Sequence, residues 1–194
     1  MGDGSAFVVD RALLSRREAA LLRRLEAEYT PEILETVLAP LVTHTSPVSL
    51  RLLDWAVVNW SKKHNVLCAS VAPGRVTNMH DAYKKALSHW KRRLFDPFRR
   101  RMRIGVRVNG QELRTTLGQA NFALWTYKTG VLSFVLSHRD SIEADMNNTS
   151  RRHKHEKREE ERRNGGKGKR SQMTSSVGRV SCVAYRAPCT VVFM

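Results

Sequence analysis

The stretch KKALSHWKRRLFDPFRRRMRIGVR, residues 84–107, decides the fold, because three kinds of local structure follow one another within it. It opens in a helical pattern, which Asp96-Pro97 stops since the residue before a proline is pushed out of the helical region. Over residues 102–108 apolar side chains alternate with arginine or glycine, which is the period of a β-strand. Asn109-Gly110 follows, the strongest short signal for a hairpin turn. The stretch therefore predicts a helix, a turn and the first strand of a hairpin.

The helix that leads into this stretch begins well before it. Apolar residues recurring at helical spacing predict a helix over about 79–94, with Thr77 or Asn78 as its cap. We expect this apolar stripe to face the core, whereas the turn residues Phe95 and Phe98 fit either the core or the surface. The stripe consists of Tyr83, Leu87, Trp90 and Leu94.

Downstream, the sequence predicts a return strand and two more helices. A strand over about 111–115 would place Leu113 opposite Val106, on one apolar face of the hairpin. A helix over about 116–128 follows, and a last helical pattern covers 131–146, with a break expected near Ser141.

Upstream, three segments carry helix-start signals. Residues 10–28 have apolar side chains at helical spacing, and the helix can start at Asp10 or at Ser15. Ser15 and Glu18 have the spacing of a capping box. A hydroxyl residue followed by proline marks the other two starts, Thr30-Pro31 and Ser46-Pro47, which open segments of about 31–39 and 47–64.

The C-terminal quarter has a different composition. Residues 147–171 hold almost no apolar side chains, so no core can form there, and residues 172–194 are short and lie beyond them. We therefore expect an α+β protein that is mostly helical. Residues 1–147 would form one small helical domain with a β-hairpin near 102–115, and residues 148–194 a basic, low-complexity and largely disordered tail, with a transient helix through KHEKREEERR at 154–163 as the alternative there.

Positive charge is concentrated in two blocks. The formal net charge is +16, and residues 84–107 hold ten Lys or Arg against the single acid Asp96, while residues 1–83 hold nine of each sign. Residues 151–170 hold ten basic and four acidic side chains. A merely solvated surface normally mixes both signs, so the first block predicts a polyanion, most simply nucleic acid bound through its phosphates. The expected contacts are Lys62, Lys63, Lys84, Lys85, Lys91, Arg92, Arg93, Arg99, Arg100, Arg101 and Arg103.

Other classes of function have little support in the sequence. The P-loop, G-x-S-x-G, H-E-x-x-H and G-x-G-x-x-G motifs do not occur, so we expect no enzyme, no cofactor and no metal site. No apolar run approaches the ~20 residues that span a bilayer, and the first residues do not form a signal peptide, so we expect a soluble intracellular protein. A metal-dependent nuclease would require scattered carboxylates to converge, namely Asp54, Asp81, Asp96, Glu112, Glu143 and Asp145.

Five motifs in a fixed order, within about residues 50–147, resemble a known family. They are LDWAVVNWSKKHNV at 53–66, Tyr83 followed by a basic helix, RRLFDPFRRRMRI at 92–104, TTLGQANFALW at 115–125 and IEADMN at 142–147. In this combination the chain is similar to small uncharacterised proteins of nucleocytoplasmic large DNA viruses, especially iridoviruses and the ranaviruses among them. That family more often has an aromatic-rich NFF-x-W where this chain has NFALW, so Ala123 departs from the pattern.

The resemblance implies a viral protein made in infected cells, with no established activity, cofactor or catalytic residue to carry over. It also implies that the turn 95–98 and the segment 115–119 form the architectural centre, with Gln119 and Asn121 as buried polar groups that hold the turn.

From charge and resemblance together we expect a non-enzymatic protein that binds DNA or RNA with weak sequence specificity, in the cytoplasm or nucleus of an infected cell. The alternative is a virion structural or scaffold protein whose arginines meet acidic protein surfaces. A metal-dependent nuclease is the third hypothesis.

Overall fold

The computed structural model describes residues 5–69, 76–98 and 100–163, and they form the mostly helical α+β fold that the sequence predicts. The α-helices are α1 (Arg16–Glu28), α2 (Pro31–Ile33), α3 (Ala39–Thr43), α4 (Leu50–Trp55), α5 (Ser61–His64), α6 (Met79–Leu94), α7 (Leu117–Lys128), α8 (Val131–Ser137) and α9 (Arg139–Arg163). The strands are β1 (Phe7–Val8), β2 (Leu67–Ala69), β3 (Val76–Asn78), β4 (Ile104–Val108) and β5 (Gln111–Thr115). A short 3₁₀ helix, Arg11–Leu13, precedes α1, and π-helical turns join α2 to α3 and α4 to α5, at Leu34–Leu38 and Ala56–Trp60.

Both candidate starts near residue 10 are used as helix caps. Asp10 accepts a hydrogen bond from the backbone N–H of Ala12 and caps the 3₁₀ helix. Ser15 and Glu18 form the predicted capping box, in which each side chain bonds to the other residue's backbone N–H. Thr30 caps α2 as predicted.

The helix start predicted at Ser46 is wrong. Its hydroxyl accepts from the backbone N–H of Val48 within a turn, and α4 instead begins after Ser49, which accepts from the N–H of Leu52. Val48 is fully buried, so the turn at Ser46 serves to bring this apolar side chain into the core before the helix starts.

Strands β4 and β5 form the predicted hairpin, with Val106 opposite Leu113. Asn109 and Gly110 both have positive φ, 50° and 78°, as a two-residue turn of this kind requires. Strand β1 adds to the free edge of β4, with Phe7 opposite Val106, and it is too short for a period to reveal it in the sequence. Strands β2 and β3 form a separate two-stranded sheet.

Helix α7 is the centre of the core. It is buried on every side from Leu117 to Thr126 and packs against α1, α6, α8 and the first π-helical turn. Phe95, from the turn after α6, packs edge-on against Phe122 and Trp125 of α7, with ring centroids 5.4 and 5.5 Å away. The sequence allowed Phe95 to lie either in the core or at the surface, and the structure places it in the core.

Two buried amides of α7 tie it to the end of α6 and the turn that follows. Gln119 Nε2 donates to the carbonyl oxygen of Pro97 at 3.0 Å, and its Oε1 accepts from the hydroxyl of Thr115 at 2.9 Å. Asn121 Nδ2 donates to the carbonyl oxygen of Leu94 at 2.8 Å. Gln119 is 2% exposed and Asn121 1%. The expectation that these amides hold the turn is thus confirmed.

Gly118 lets the two backbones approach closely. Its carbonyl oxygen accepts from the N–H of Asp96 at 3.3 Å. A Cβ at this position would lie 3.3 Å from both the Arg93 carbonyl oxygen and the Asp96 nitrogen, and neither backbone atom can move without shifting the turn.

The C-terminal helices depart from the expected boundaries. The break between α8 and α9 falls at His138 rather than near Ser141. Helix α9 continues past residue 147 to Arg163, so residues 148–163, expected within the disordered tail, are helical and fully exposed from 151 onwards. The remainder of that predicted tail, 164–194, lies outside the described residues.

A physical reason for the longer helix is that propagation is easier than nucleation once the buried turn around Ile142 exists. Opposite charges at i, i+4 add to it, as between His155 and Glu159 at 3.8 Å. The compact body extends to His153, and residues from Lys154 onwards form a separate unit.

We predict that Gln119→Leu lowers the free energy of unfolding by about 1–3 kcal/mol, because it leaves the Pro97 carbonyl and the Thr115 hydroxyl buried without their partner. Urea unfolding followed by circular dichroism measures this. The matched control is Gln111→Leu on the exposed face of β5, which should change stability by less than about 0.5 kcal/mol. Equal effects of the two substitutions would show that the Gln119 hydrogen bonds do not hold the turn.

Candidate nucleic-acid interface

Helix α6 carries five of the eleven predicted phosphate contacts on its exposed side. Asn78 caps it by accepting from two backbone N–H groups, and Asp81 lies in its first turn, where the helix dipole favours an acid. Only Met79 and Leu94 are fully buried, so the helix lies on the surface of the core. The cations on it, all exposed, are Lys84, Lys85, Lys91, Arg92 and Arg93.

The helix is kinked at Lys91. This residue has φ 61° and ψ 161°, a conformation that side-chain-bearing residues rarely adopt and that costs on the order of 1–3 kcal/mol. The kink redirects the last turn, from which Arg93 reaches Glu18 of α1, its Nε and Nη2 donating to Oε1 at 3.1 and 3.0 Å. Burial disfavours the charged form of Glu18, but hydrogen bonds from Ser15 and Arg93 outweigh it, so the pKa of Glu18 lies below its ordinary value.

Exposed arginines also follow the turn, and together with the cations of α6 they form what we call the basic surface. Arg100 pairs with Asp96 at 3.6 Å, and its guanidinium lies over the ring of Phe98, 4.7 Å from the centroid. Phe98 is half-buried. Its ring therefore lies at the surface, next to the Arg100 guanidinium. Arg101 and Arg103 are exposed, and Arg99 lies outside the described residues.

Lys62 and Lys63 extend the basic surface at the opposite end of α6. They lie in α5, which packs against α6 where the latter begins, since the N–H of Met79 donates to the Val66 carbonyl oxygen at 2.8 Å. Lys63 pairs with Asp145 of α9 at 2.7 Å. Because α6 has 16 residues, the cations extend over about 24 Å from α5 to the turn.

Ion pairs leave most of this surface uncompensated. Arg93, Arg100 and Lys63 have the acidic partners described above, and their side chains remain 63%, 65% and 48% exposed. Such exposed pairs are worth at most about 1 kcal/mol, so a phosphate can compete for each cation. Seven further cations make no ion pair with any residue that the structure describes, namely Lys62, Lys84, Lys85, Lys91, Arg92, Arg101 and Arg103.

Helix α1 contributes arginines that sequence reasoning missed. The guanidinium of Arg24 lies over the ring of Trp90, 4.9 Å from its centroid, and also bonds to Glu28 at 2.7 Å. Arg17 is exposed and two turns earlier on the same face. The formal charges of residues 1–83 sum to zero. The net charge of a segment does not show which element an arginine faces, so these two arginines were not predicted as part of the basic surface.

A family of unknown function, DUF7197, matches residues 25–182. The chain belongs to this family. It is also 29% identical over 125 residues to "Uncharacterized protein L507" of Acanthamoeba polyphaga mimivirus, a match that takes in 60% of this chain and 48% of that protein. The chain thus spans about half the length of this relative, and no solved structure matches it.

The relative supports the viral part of the resemblance. A mimivirus is a nucleocytoplasmic large DNA virus, so the similarity to proteins of such viruses is confirmed at that level. Within residues 5–69, 76–98 and 100–163 of this DUF7197 protein, no group of three or more His, Cys, Asp or Glu side chains is placed to hold a metal ion. No helix in the same ranges is long and apolar enough to cross a membrane.

Two of the carboxylates considered for a nuclease lie close enough to interact. Burial raises the pKa of Asp54 above its ordinary value, and the charge of Asp96 raises it further. Arg100, Arg51 and Arg92 act in the opposite direction without cancelling the rise. Arg92 and Arg100, which lie on either side of the turn in the sequence, thus both favour the charged form of Asp54.

We predict that Asp54→Asn raises the free energy of unfolding at pH 7. A carboxyl whose pKa is higher in the folded state binds more protons there than when unfolded, so the wild-type protein loses stability as pH rises above the ordinary value of 3.8. The amide does not titrate, so the advantage of the variant should shrink as pH falls towards 4. Urea unfolding at pH 7 and near pH 4 measures both. A variant that is less stable than the wild type at pH 7 would contradict the raised pKa.

Proposed function

We propose that this protein binds nucleic acid without catalysis, through phosphate contacts along α6, the turn after it and the start of β4. The supporting observation is the set of seven exposed cations that make no ion pair with any described residue. Cations left without acidic partners on one surface attract a polyanion and release its counterions on binding.

The expected specificity for sequence is weak. Long, flexible lysines and arginines on an exposed helix reach phosphates, and phosphate contacts position a protein without reading base edges. The cations on α6 lie between Lys84 and Arg93 and extend over roughly 14 Å, which suits an extended backbone rather than a single ion.

The proposed cellular setting is a virus-infected cell, which the motif series and the mimivirus relative support. Binding of nucleic acid there, in the cytoplasm or nucleus, would serve genome packaging, replication or transcription. We extend the proposal to an iridovirus-type member on the strength of the motifs at 92–104 and 115–125.

The direct test is affinity for DNA and for RNA as a function of salt. Each phosphate neutralised contributes about 0.7–0.9 to the slope of log affinity against log salt concentration. We predict a slope steeper than about −2 for the full chain, measured by fluorescence anisotropy with labelled 20-mers. An affinity that does not change with salt would overturn the proposal.

A pair of double variants locates the contacts. Lys84→Gln with Lys91→Gln removes two charges from the exposed side of α6, one before the kink and one at it. This variant should bind more weakly to every sequence and lose about 1–2 from the salt slope. Arg114→Gln with Arg139→Gln removes the same charge from exposed positions off α6 and should retain most of the slope. Equal losses in both variants would favour a general charge effect over a surface on α6.

A second candidate is a virion structural or scaffold protein that binds an acidic protein surface. It is favoured by the exposed apolar side chains of Leu13 and Met102, 69% and 39% exposed, in a groove of about 600 Å³ beside β1 and β4. Two arginines and two acids also line this groove, namely Arg103, Arg114, Asp10 and Glu112. A pull-down from infected cells with and without nuclease separates the candidates. Loss of partners after nuclease treatment supports nucleic acid, and survival of an acidic protein partner supports the scaffold.

A further inference from the structure

A cavity of about 520 Å³ opens beside the basic surface, between α6 and the elements that pack against it. Five residues of α6 line it at i, i+3, i+4, i+7 and i+8, which is one continuous helix face. They are Ala82, Lys85, Ala86, His89 and Trp90, and the opposite side is formed by Arg24, Thr77, Asn121 and Trp125.

The cavity exists because small and large side chains alternate along α6. Ala82 and Ala86 lie two turns and one turn before Trp90 and leave the space that a larger residue would fill. Trp125 of α7 provides the second indole. Core spaces of this size are normally filled, whereas ligand sites commonly have volumes of about 300–1,000 Å³.

The charge of the lining selects an anion. Lys85 and His89 are exposed at the edge of the cavity, Arg24 lies over Trp90, and the lining contains no acidic side chain. Arg24 is already paired with Glu28 at 2.7 Å, so its main effect is to hold the Trp90 ring in place. Lys85 makes no ion pair with a described residue and is the cation left for a ligand.

The side-chain oxygen of Asn121 favours a ligand that can donate a hydrogen bond. Asn121 is 1% exposed, and its Nδ2 is committed to the Leu94 carbonyl oxygen at 2.8 Å. Its Oδ1 accepts no hydrogen bond from any residue in the described part of the chain. Since Asn121 lines the cavity, Oδ1 is the acceptor that it offers to a ligand N–H there.

We propose that this cavity binds one nucleotide of a single strand. The base packs against Trp90 and Trp125 and donates an amino or ring N–H to Asn121 Oδ1, while its phosphate contacts Lys85 and His89. Every base has a flat aromatic face and an N–H donor when single-stranded, so the site tolerates different sequences. This inference rests on the proposed nucleic-acid function and specifies a single strand as the ligand.

The test compares three labelled 20-mers with the full chain: a single strand, the same strand with abasic residues in place of its bases, and a duplex. The single strand should bind about tenfold more tightly than the abasic strand, because stacking of a base is lost in the latter. ATP serves as a fourth probe, for a free nucleotide.

Ala86→Leu fills the cavity without changing charge, and Ala144→Leu makes the same substitution on the exposed face of α9 as a control. The first variant should lower affinity for the single strand to that of the abasic strand and leave abasic binding unchanged. The control should retain the tenfold preference.

The outcomes separate the two proposals. Equal, salt-dependent binding of all three 20-mers by the wild-type protein would overturn the cavity assignment and leave the proposed function standing. Absence of salt-dependent binding to all three would overturn the proposed function. Binding of ATP that Ala86→Leu abolishes, without any preference for the base-bearing strand, would show that the ligand is a free nucleotide and not a strand. The comparison of probes on the wild-type protein stands even if Ala86→Leu fails to fold.

Discussion

The rest of the structure depends on the hydrogen bonds that two buried amides of α7 make to the end of α6 and its turn. Gln119 and Asn121 bond to the carbonyl oxygens of Pro97 and Leu94, two backbone groups that a helix ending in a proline turn would leave without partners inside the core. Because Gly118 allows close contact at the same place, α7 fixes where α6 stops. The basic surface and the cavity both lie on α6, whose C-terminal end these hydrogen bonds fix.

Much of this arrangement could be predicted, because local chemistry decides it. The proline turn, the capping groups and the Asn109-Gly110 hairpin each depend on neighbours within a few residues, and their patterns are visible in one sequence. The amides at 119 and 121 became interpretable through the family resemblance, which pointed to buried polar groups next to the turn. The cations of the basic stretch that the structure describes are exposed, as expected, and Phe95, for which core and surface were both open, lies in the core.

The rest could not be predicted, because it arises from contacts distant in sequence. Arg24 comes to lie over Trp90 only when α1 packs beside α6, and no period or motif records that approach. The cavity depends on which neighbours face Ala82 and Ala86. The apolar stripe predicted that Trp90 lies in the core, but Trp90 is half-buried and lines the cavity. The extension of α9 follows from helix propagation beyond any core, which apolar periodicity does not detect.

The central claim is that α6 is the surface on which nucleic acid is held. The most direct measurement is a titration of the isotope-labelled protein with a single-stranded oligonucleotide, followed by amide and indole N–H resonances. The predicted result is that signals of residues 79–94 and the indole of Trp90 shift together, while the amide signals of residues 131–137 in α8 stay in place. Shifts confined to the groove around Leu13 and Met102, with α6 unchanged, would contradict the claim.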